Sequence, residues 1–293
     1  MPFHQLVIEL PGAELERIED ACVRLGAIAV SLFDAGDEPL LEPGPGETPL
    51  WHSVRLRALF TESVDPDLTA ATIAAVLGLA PACIAVEHVE DRVWEREWLK
   101  DFRPMRFGRR LCVVPAGQQP EGPAAALLEL DPGLAFGTGT HATTALCLEW
   151  LDAHVQGGER VLDYGSGSGI LALAALKLGA AAAVAFDIDP QALVATRENA
   201  AKNGLGGKIT VAEHAGRIAG PFDIVLANIL AGPLVELAPR LAPMARTGGD
   251  LVLAGLLDRQ AAEVAQAYRP WFDIGPAAER EGWTLLAGRR HAE

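Results

Sequence analysis

Cysteine is scarce in this chain: four in 293 residues, Cys22, Cys83, Cys112 and Cys147, far apart and with no C-x-x-C pair. That spacing excludes a disulfide framework and a thiolate zinc site, leaving four small hydrophobes suited to a reducing compartment. The seven histidines show no H-x-x-x-H pattern, so no metal site is expected. Long apolar runs are missing too. Ile170 to Phe186 comes nearest, but Lys177 and Gly179 interrupt it before the roughly 18 uncharged residues that span a bilayer. Met1-Pro2-Phe3-His4-Gln5 lacks the basic-then-apolar order of a secretion signal. Basic charge is in deficit: 24 Lys and Arg face 39 Asp and Glu, a formal net charge of −15. An acidic surface repels phosphate, so direct nucleic-acid binding is not expected. The expectation is a cytoplasmic, monomeric chain without membrane contact.

What is present is globular: half of the residues are apolar and 22% are charged. The length suggests two domains. Residues 1–90 read strand, helix, strand, strand, helix, strand, the order of a ferredoxin-like α+β domain. Gln5–Leu10, Ala27–Phe33, Ser53–Phe60 and Cys83–Val89 carry the strand signals. Glu14–Leu25 and Asp67–Leu79 carry the helical ones. No catalytic constellation lies in that half, which points to recognition or scaffolding. Residues 91–103 read as a charged helical linker with Trp94 and Trp98 four apart, suited to packing between domains.

Residues 104–293 become a regular alternation of apolar strands and helices, which implies a mostly parallel sheet covered on both faces. Strands are expected at Arg160–Tyr164, Ala182–Phe186, Lys208–Ala212, Phe222–Ala227 and Asp250–Gly255. Short strands are expected before them at Arg110–Val114 and Leu127–Leu130. Trp271–Ile274 and Trp283–Gly288 read as a closing antiparallel hairpin.

The densest signal is Asp163-Tyr164-Gly165-Ser166-Gly167-Ser168-Gly169, a strand end that turns on glycines into a helix. Glycine tolerates positive φ and lets backbone N–H groups approach a ligand. The next strand ends at Asp187, eighteen residues after Gly169, where a carboxylate can accept both ribose hydroxyls. A nucleoside cofactor is therefore expected. Gly167 to Ala172 fits G-x-G-x-x-A, so a dinucleotide is formally allowed, although a lone match is weak. Three features favour S-adenosylmethionine (SAM) instead: Asp163 ahead of the glycines, Asn228 at a strand's carboxyl edge, and the segment Asp131–Thr144. Asp163 suits the methionine ammonium, which a dinucleotide lacks.

Phe136-Gly137-Thr138-Gly139-Thr140-His141-Ala142-Thr143-Thr144, taken with Asp163–Gly169, Asp187–Pro190 and Asn228–Pro233, closely resembles the ribosomal protein L11 methyltransferase family (PrmA). The resemblance implies a class I SAM-dependent methyltransferase fold, Rossmann-like, with a C-terminal antiparallel hairpin. It also implies trimethylation of lysine ε-amino and N-terminal α-amino groups of ribosomal protein L11, with S-adenosylhomocysteine as product. Another protein or an RNA is the alternative acceptor. Carried over by position, the cofactor-binding residues are Thr144, Gly165, Gly167, Asp187 and Asn228. No catalytic residue is assigned beyond Asn228, which could orient the amine. At Gly165 a Cβ is expected to intrude on the cofactor. His141 is read as ordering the loop over the cofactor rather than as a base, and Phe136 as covering the adenine or anchoring that loop. Asp189 is read as a helix N-cap ahead of Pro190. Asn228-Ile229-Leu230-Ala231 lacks the aromatic of an Asn-Pro-Pro-Tyr motif, which favours an aliphatic amine over a flat base.

Overall fold

The computed structural model describes residues 3–12, 15–36, 50–89, 103–120, 122–131 and 139–292. The chain divides into two compact units, Met1–Trp94 and Glu95–Glu293. Phe136 and nearly all of the 91–103 linker lie outside the described residues.

In the first unit, strands β1 (Phe3–Pro11), β2 (Ala29–Asp34), β3 (Ser53–Thr61) and β4 (Ile84–Val89) form one antiparallel sheet in the order β2-β3-β1-β4. Strict alternation drives it: Leu6, Ile8 and Leu10 of β1 and Val54, Leu56, Ala58 and Phe60 of β3 are buried on one face. Helices α1 (Leu15–Arg24) and α2 (Pro66–Leu77) supply Ile18, Cys22, Ile73 and Ala74 to the same core. Asp65 caps α2, its carboxylate accepting from the Asp67 and Leu68 N–H groups at 3.0 Å, and Gly78 ends the helix at φ 68°.

The second unit begins with a small sheet, β5 (Met105–Phe107), β6 (Leu111–Pro115) and β7 (Ala126–Leu130), in that order. Then come α3 (Ala142–His154), β8 (Arg160–Tyr164), α4 (Ile170–Leu178), β9 (Ala182–Phe186), α5 (Pro190–Lys202), β10 (Ile209–Ala212) and β11 (Phe222–Asn228). The chain continues through α6 (Ala231–Leu241), β12 (Ala245–Leu257), α7 (Ala261–Tyr268), β13 (Phe272–Arg280) and β14 (Trp283–Arg290). The seven-stranded sheet runs β10-β9-β8-β11-β12-β14-β13, parallel through β12, with β14 antiparallel to both neighbours. This is the Rossmann-like class I arrangement with its C-terminal hairpin. Residues of β8 alternate between two cores: Val161 packs with α3 and α4, and Leu162 with α6 and α7. Apolar on all sides, α4 is buried against β7, β8 and β9. The order reverses at β8: β9 and β10 lie to one side, β11 and β12 to the other. Ligands bind at the carboxyl ends of strands flanking such a reversal.

Helix α3, which carries Thr144, is tied to the small sheet by one carboxylate. Asp152, 7% exposed, accepts from the backbone N–H groups of Arg109 (2.8 Å), Arg110 (2.9 Å) and Leu111 (3.0 Å). Gly108, at φ 65°, makes room, because a Cβ there would overlap the Asp152 side chain. Removing the acceptor strands three N–H groups, each costing about 1–3 kcal/mol where water cannot reach. Asp152→Ala is expected to lower the unfolding free energy by about 3 kcal/mol, and Asp152→Asn by less, in urea denaturation of the full chain. A loss below about 0.5 kcal/mol, the range of ordinary surface changes, would refute the tie.

Candidate functional site

The glycine turn follows β8 at the reversal point. Gly165, Gly167 and Gly169 hold φ values of 85°, 53° and 80°, all in the region that side chains avoid. The turn's amides are spent inside the protein. Gly165 and Ser166 donate to the Phe186 carbonyl at 2.7 and 3.0 Å, Gly167 to Asp187 Oδ2 at 2.8 Å, and Gly169 to the Ser166 carbonyl at 2.8 Å. A pyrophosphate cradle needs such N–H groups turned outward. This turn therefore does not suit a dinucleotide. From behind, Thr196 Oγ1 donates to the Gly167 carbonyl and Asn199 Nδ2 to the Ser168 carbonyl, both at 3.0 Å, so α5 clamps the loop.

Glycine at 165 also has a reason within the protein itself. A Cβ there would overlap the Ile229 side chain, which packs across from the loop after β11. Gly165 is thus needed for a close approach of two strand-end loops, whether or not a cofactor is bound.

Asp187 follows β9 half-buried, with Oδ2 accepting the Gly167 N–H at 2.8 Å and Oδ1 the Asp189 N–H at 3.0 Å. Both oxygens keep a second lone pair, so a fixed carboxylate remains able to accept a ribose diol. Asp189 does cap α5, accepting from Gln191 N–H at 2.8 Å with Pro190 in the first turn. Beside Asp187 opens a cavity of ≈ 660 Å³ lined by Phe186, Ile188, Leu193, Glu213, His214 and Ala215, among others. Ile188 is 90% exposed, an apolar surface of the kind a purine covers. Sequence reasoning missed Ile188 and the 213–215 segment. The signal was available, since both directly follow strands at the carboxyl edge.

Asp163 lies below the turn, fully buried, its Oδ2 accepting the Ala172 N–H at 3.0 Å near the start of α4. Burial raises its pKa to about 7, the Ala172 N–H opposes that rise, and the negative Asp187 adds to it. Its other oxygen, Oδ1, is buried and meets no partner among the described residues. An orphan carboxylate oxygen fits a cation, and the ammonium of a methionine moiety is one.

On the other side of β8, Asn228 ends β11. Its Nδ2 donates to Thr144 Oγ1 at 3.3 Å, so the structure joins two residues singled out 84 positions apart. Thr144 is 1% exposed. Its hydroxyl meets the Asn228 amide rather than solvent. His141 caps α3: its Nδ1 accepts the Thr143 N–H at 3.3 Å and lies 2.7 Å from Thr143 Oγ1. Nδ1 is thereby engaged at the head of α3, as suits an ordering residue.

Comparisons with known proteins concern the chain as a whole. A family described as "Ribosomal protein L11 methyltransferase (PrmA)" matches residues 2–291. A protein named ribosomal protein L11 methyltransferase from Pseudomonas paraeruginosa is 49% identical over 294 residues, covering 100% of both chains. One of the same name from Azotobacter vinelandii is 48% identical, covering 99% of this chain and 100% of that one. A solved structure of a ribosomal protein L11 methylase from Lactobacillus delbrueckii subsp. bulgaricus superposes with a TM-score of 0.60. It is 34% identical and covers 65% of this chain and 100% of its own.

Asp163 makes cofactor binding depend on pH in a definite direction. In the empty protein the raised pKa means its stabilising contribution is present below about pH 4 and lost as pH rises towards 7. An ammonium at Oδ1 requires the carboxylate, so binding below pH 7 expels a proton. The dissociation constant of SAM, measured by calorimetry between about pH 5.5 and 7.5, is expected to rise by up to about tenfold per pH unit on the acid side. Asp163→Asn is expected to bind more weakly with no such slope. A flat wild-type profile would show that no cation meets Asp163.

Proposed function

The chain belongs to the ribosomal protein L11 methyltransferase family, and on that premise we propose that it carries a protein's amino groups through successive methyl transfers from SAM to trimethylation. SAM is the cofactor and ribosomal protein L11 the substrate; lysine ε-amino groups and the N-terminal α-amino group are the proposed acceptors. The observation that carries the reading is the Asn228–Thr144 pair at the carboxyl edge of β11, next to the glycine turn.

When bound, SAM supplies a methyl group on a sulfonium, which is displaced as a neutral thioether. The residues of this chain do the rest. Asp187 and the cavity around Ile188 hold the nucleoside end, and Asp163 holds the ammonium end. With Nδ2 committed to Thr144, Asn228 retains its carbonyl oxygen to accept an N–H of the incoming amine and aim the nitrogen lone pair. The amine must arrive neutral. A lysine ammonium has a pKa of about 10.4 and an α-ammonium about 7.7–8.0, and desolvation lowers both, so no dedicated base is required.

We further propose that the first unit grips the protein substrate. Residues 1–94 hold 16 Asp and Glu against five Arg and no Lys, so they carry most of the chain's net negative charge. A ribosomal protein carries Lys and Arg to meet rRNA phosphates, and that surface complements an acidic one. The same charge disfavours RNA as the acceptor.

Asn228→Ala is expected to lower kcat by about 100-fold, the size of a positioning loss, with SAM affinity changed less than about threefold. Thr144→Val is expected to lower kcat by about tenfold, because it frees the Asn228 amide to rotate. Turnover at the wild-type rate in Asn228→Ala would remove the residue from the mechanism. For the first unit, raising ionic strength from about 0.05 to 0.5 M is expected to raise the KM for ribosomal protein L11 by about tenfold and to leave that for SAM in place. Equal responses of the two KM values would contradict an electrostatic grip.

A further inference from the structure

His141 also makes an aromatic contact with the C-terminal hairpin. Trp283 opens β14 half-buried, its ring 5.0 Å from the His141 ring with the planes at 69°, edge to face. The topology puts this pair on the acceptor side. Because β14 is antiparallel to β12, its first residue lies at the carboxyl edge, where Trp283 pairs with Leu257. Asn228 pairs with Ala254 of the same strand. The nucleoside-side loops follow β8, β9 and β10; Trp283 is on the opposite side of Asn228. His141 caps the helix whose first turn holds Thr144, and Thr144 holds Asn228.

The hairpin tip that presents Trp283 is fastened on three counts. Asp258 N–H donates to the Gly282 carbonyl at 3.0 Å, and Thr284 Oγ1 donates to Asp258 Oδ1 at 2.6 Å, so both neighbours of Trp283 are held by one residue. Arg280 Nη2 reaches both carboxylate oxygens of Glu149 on α3, at 3.0 and 2.9 Å. A tip that only closed a hairpin would need none of these ties.

The chemistry gives such a wall a task. Each transfer forms an N–C bond and breaks the S–C bond of the sulfonium; the ammonium formed then gives a proton to water before the next transfer. The neutral amine offers two N–H groups for the first transfer, one for the second and none for the third. Asn228 can therefore aim only the first two. The dimethylamine must be positioned by shape and by attraction of its developing positive charge to a π face. We propose that Trp283, braced edge to face by His141, is the acceptor-side wall that positions the dimethylamine and carries the reaction to the third methyl group. This rests on the trimethylation reading given above.

The test follows the methylation states of ribosomal protein L11 by mass spectrometry over time, with SAM and the full-length enzyme as wild type, Trp283→Leu and Trp283→Phe. The ratio of third-transfer to first-transfer rate is expected to fall about tenfold in Trp283→Leu, so that mono- and dimethylated protein accumulates, and to recover in Trp283→Phe. A misfolded fraction scales all three rates alike and leaves that ratio untouched. Trimethylation by Trp283→Leu at the wild-type ratio, or equal slowing of all three steps, overturns the proposal. A wild-type chain that adds no methyl group to the ribosomal protein overturns the substrate reading, and the wall with it.

Discussion

Burying the Asp163 carboxylate at the end of β8 costs free energy that a single hydrogen bond, from the Ala172 N–H, offsets only in part. The remainder stays in the site as a raised proton affinity and an unpartnered oxygen. The surrounding structure depends on that carboxylate being where it is. It takes up one of the N–H groups that the first turn of α4 cannot satisfy within the helix, and so fixes the helix against the strand it follows. Between strand and helix the chain has room only for a turn of glycines with positive φ. The result is a floor for the cofactor site that is rigid and short of one cation.

The same economy of polar groups separates the two halves of the site. On the nucleoside side, the turn's N–H groups are consumed by Phe186 and Asp187, so recognition falls to carboxylates and an exposed apolar side chain, Ile188. Such a surface suits an uncharged ribose and base better than phosphate. On the acceptor side, the Asn228 amide is fixed by Thr144, and Trp283 and His141 supply aromatic surface. Carboxylates on one side and an amide with π faces on the other match a positive methyl donor that meets a neutral amine.

Much of this was legible in the sequence for a local reason. Glycines at alternate positions after an apolar strand demand a tight turn, and an acid or amide at a strand's carboxyl end marks the ligand edge; Asp187 and Asn228 were found in that way. What was missed depends on partners far apart in sequence. That the glycine turn spends its amides on β9, that Gly165 yields to Ile229, and that Asp152 gathers three N–H groups of a distant turn are all invisible to periodicity. Helix α7 was not anticipated: its N-cap residue Gln260 makes no side-chain capping bond, and eight alanine-rich residues carry a short period. Strand β5 has three residues, too few to alternate. Gly248 and Gly249 hid the true start of β12 at Ala245. Histidine is an uncommon N-cap, so nothing in the local sequence marks His141 for the head of α3.

The first unit follows a different logic from the second. Its sheet buries one face under two helices, and its core residues, Leu6, Ile8, Leu56 and Phe60 among them, are spent on stability. Charge is what distinguishes its surface, with no lysine at all among its residues. Lysine is the side chain on which the proposed reaction acts. For a unit proposed to hold a lysine-bearing protein, the lack of lysine counts twice: it offers no competing ε-amine, and it keeps one sign of charge towards a cationic partner. Arginine supplies its few positive charges, as in the Arg55–Glu9 pair at 2.6 Å, and a guanidinium does not lose the proton that methylation would require. Composition and chemistry therefore point the same way. The first unit carries no ε-amine on which the proposed reaction could act.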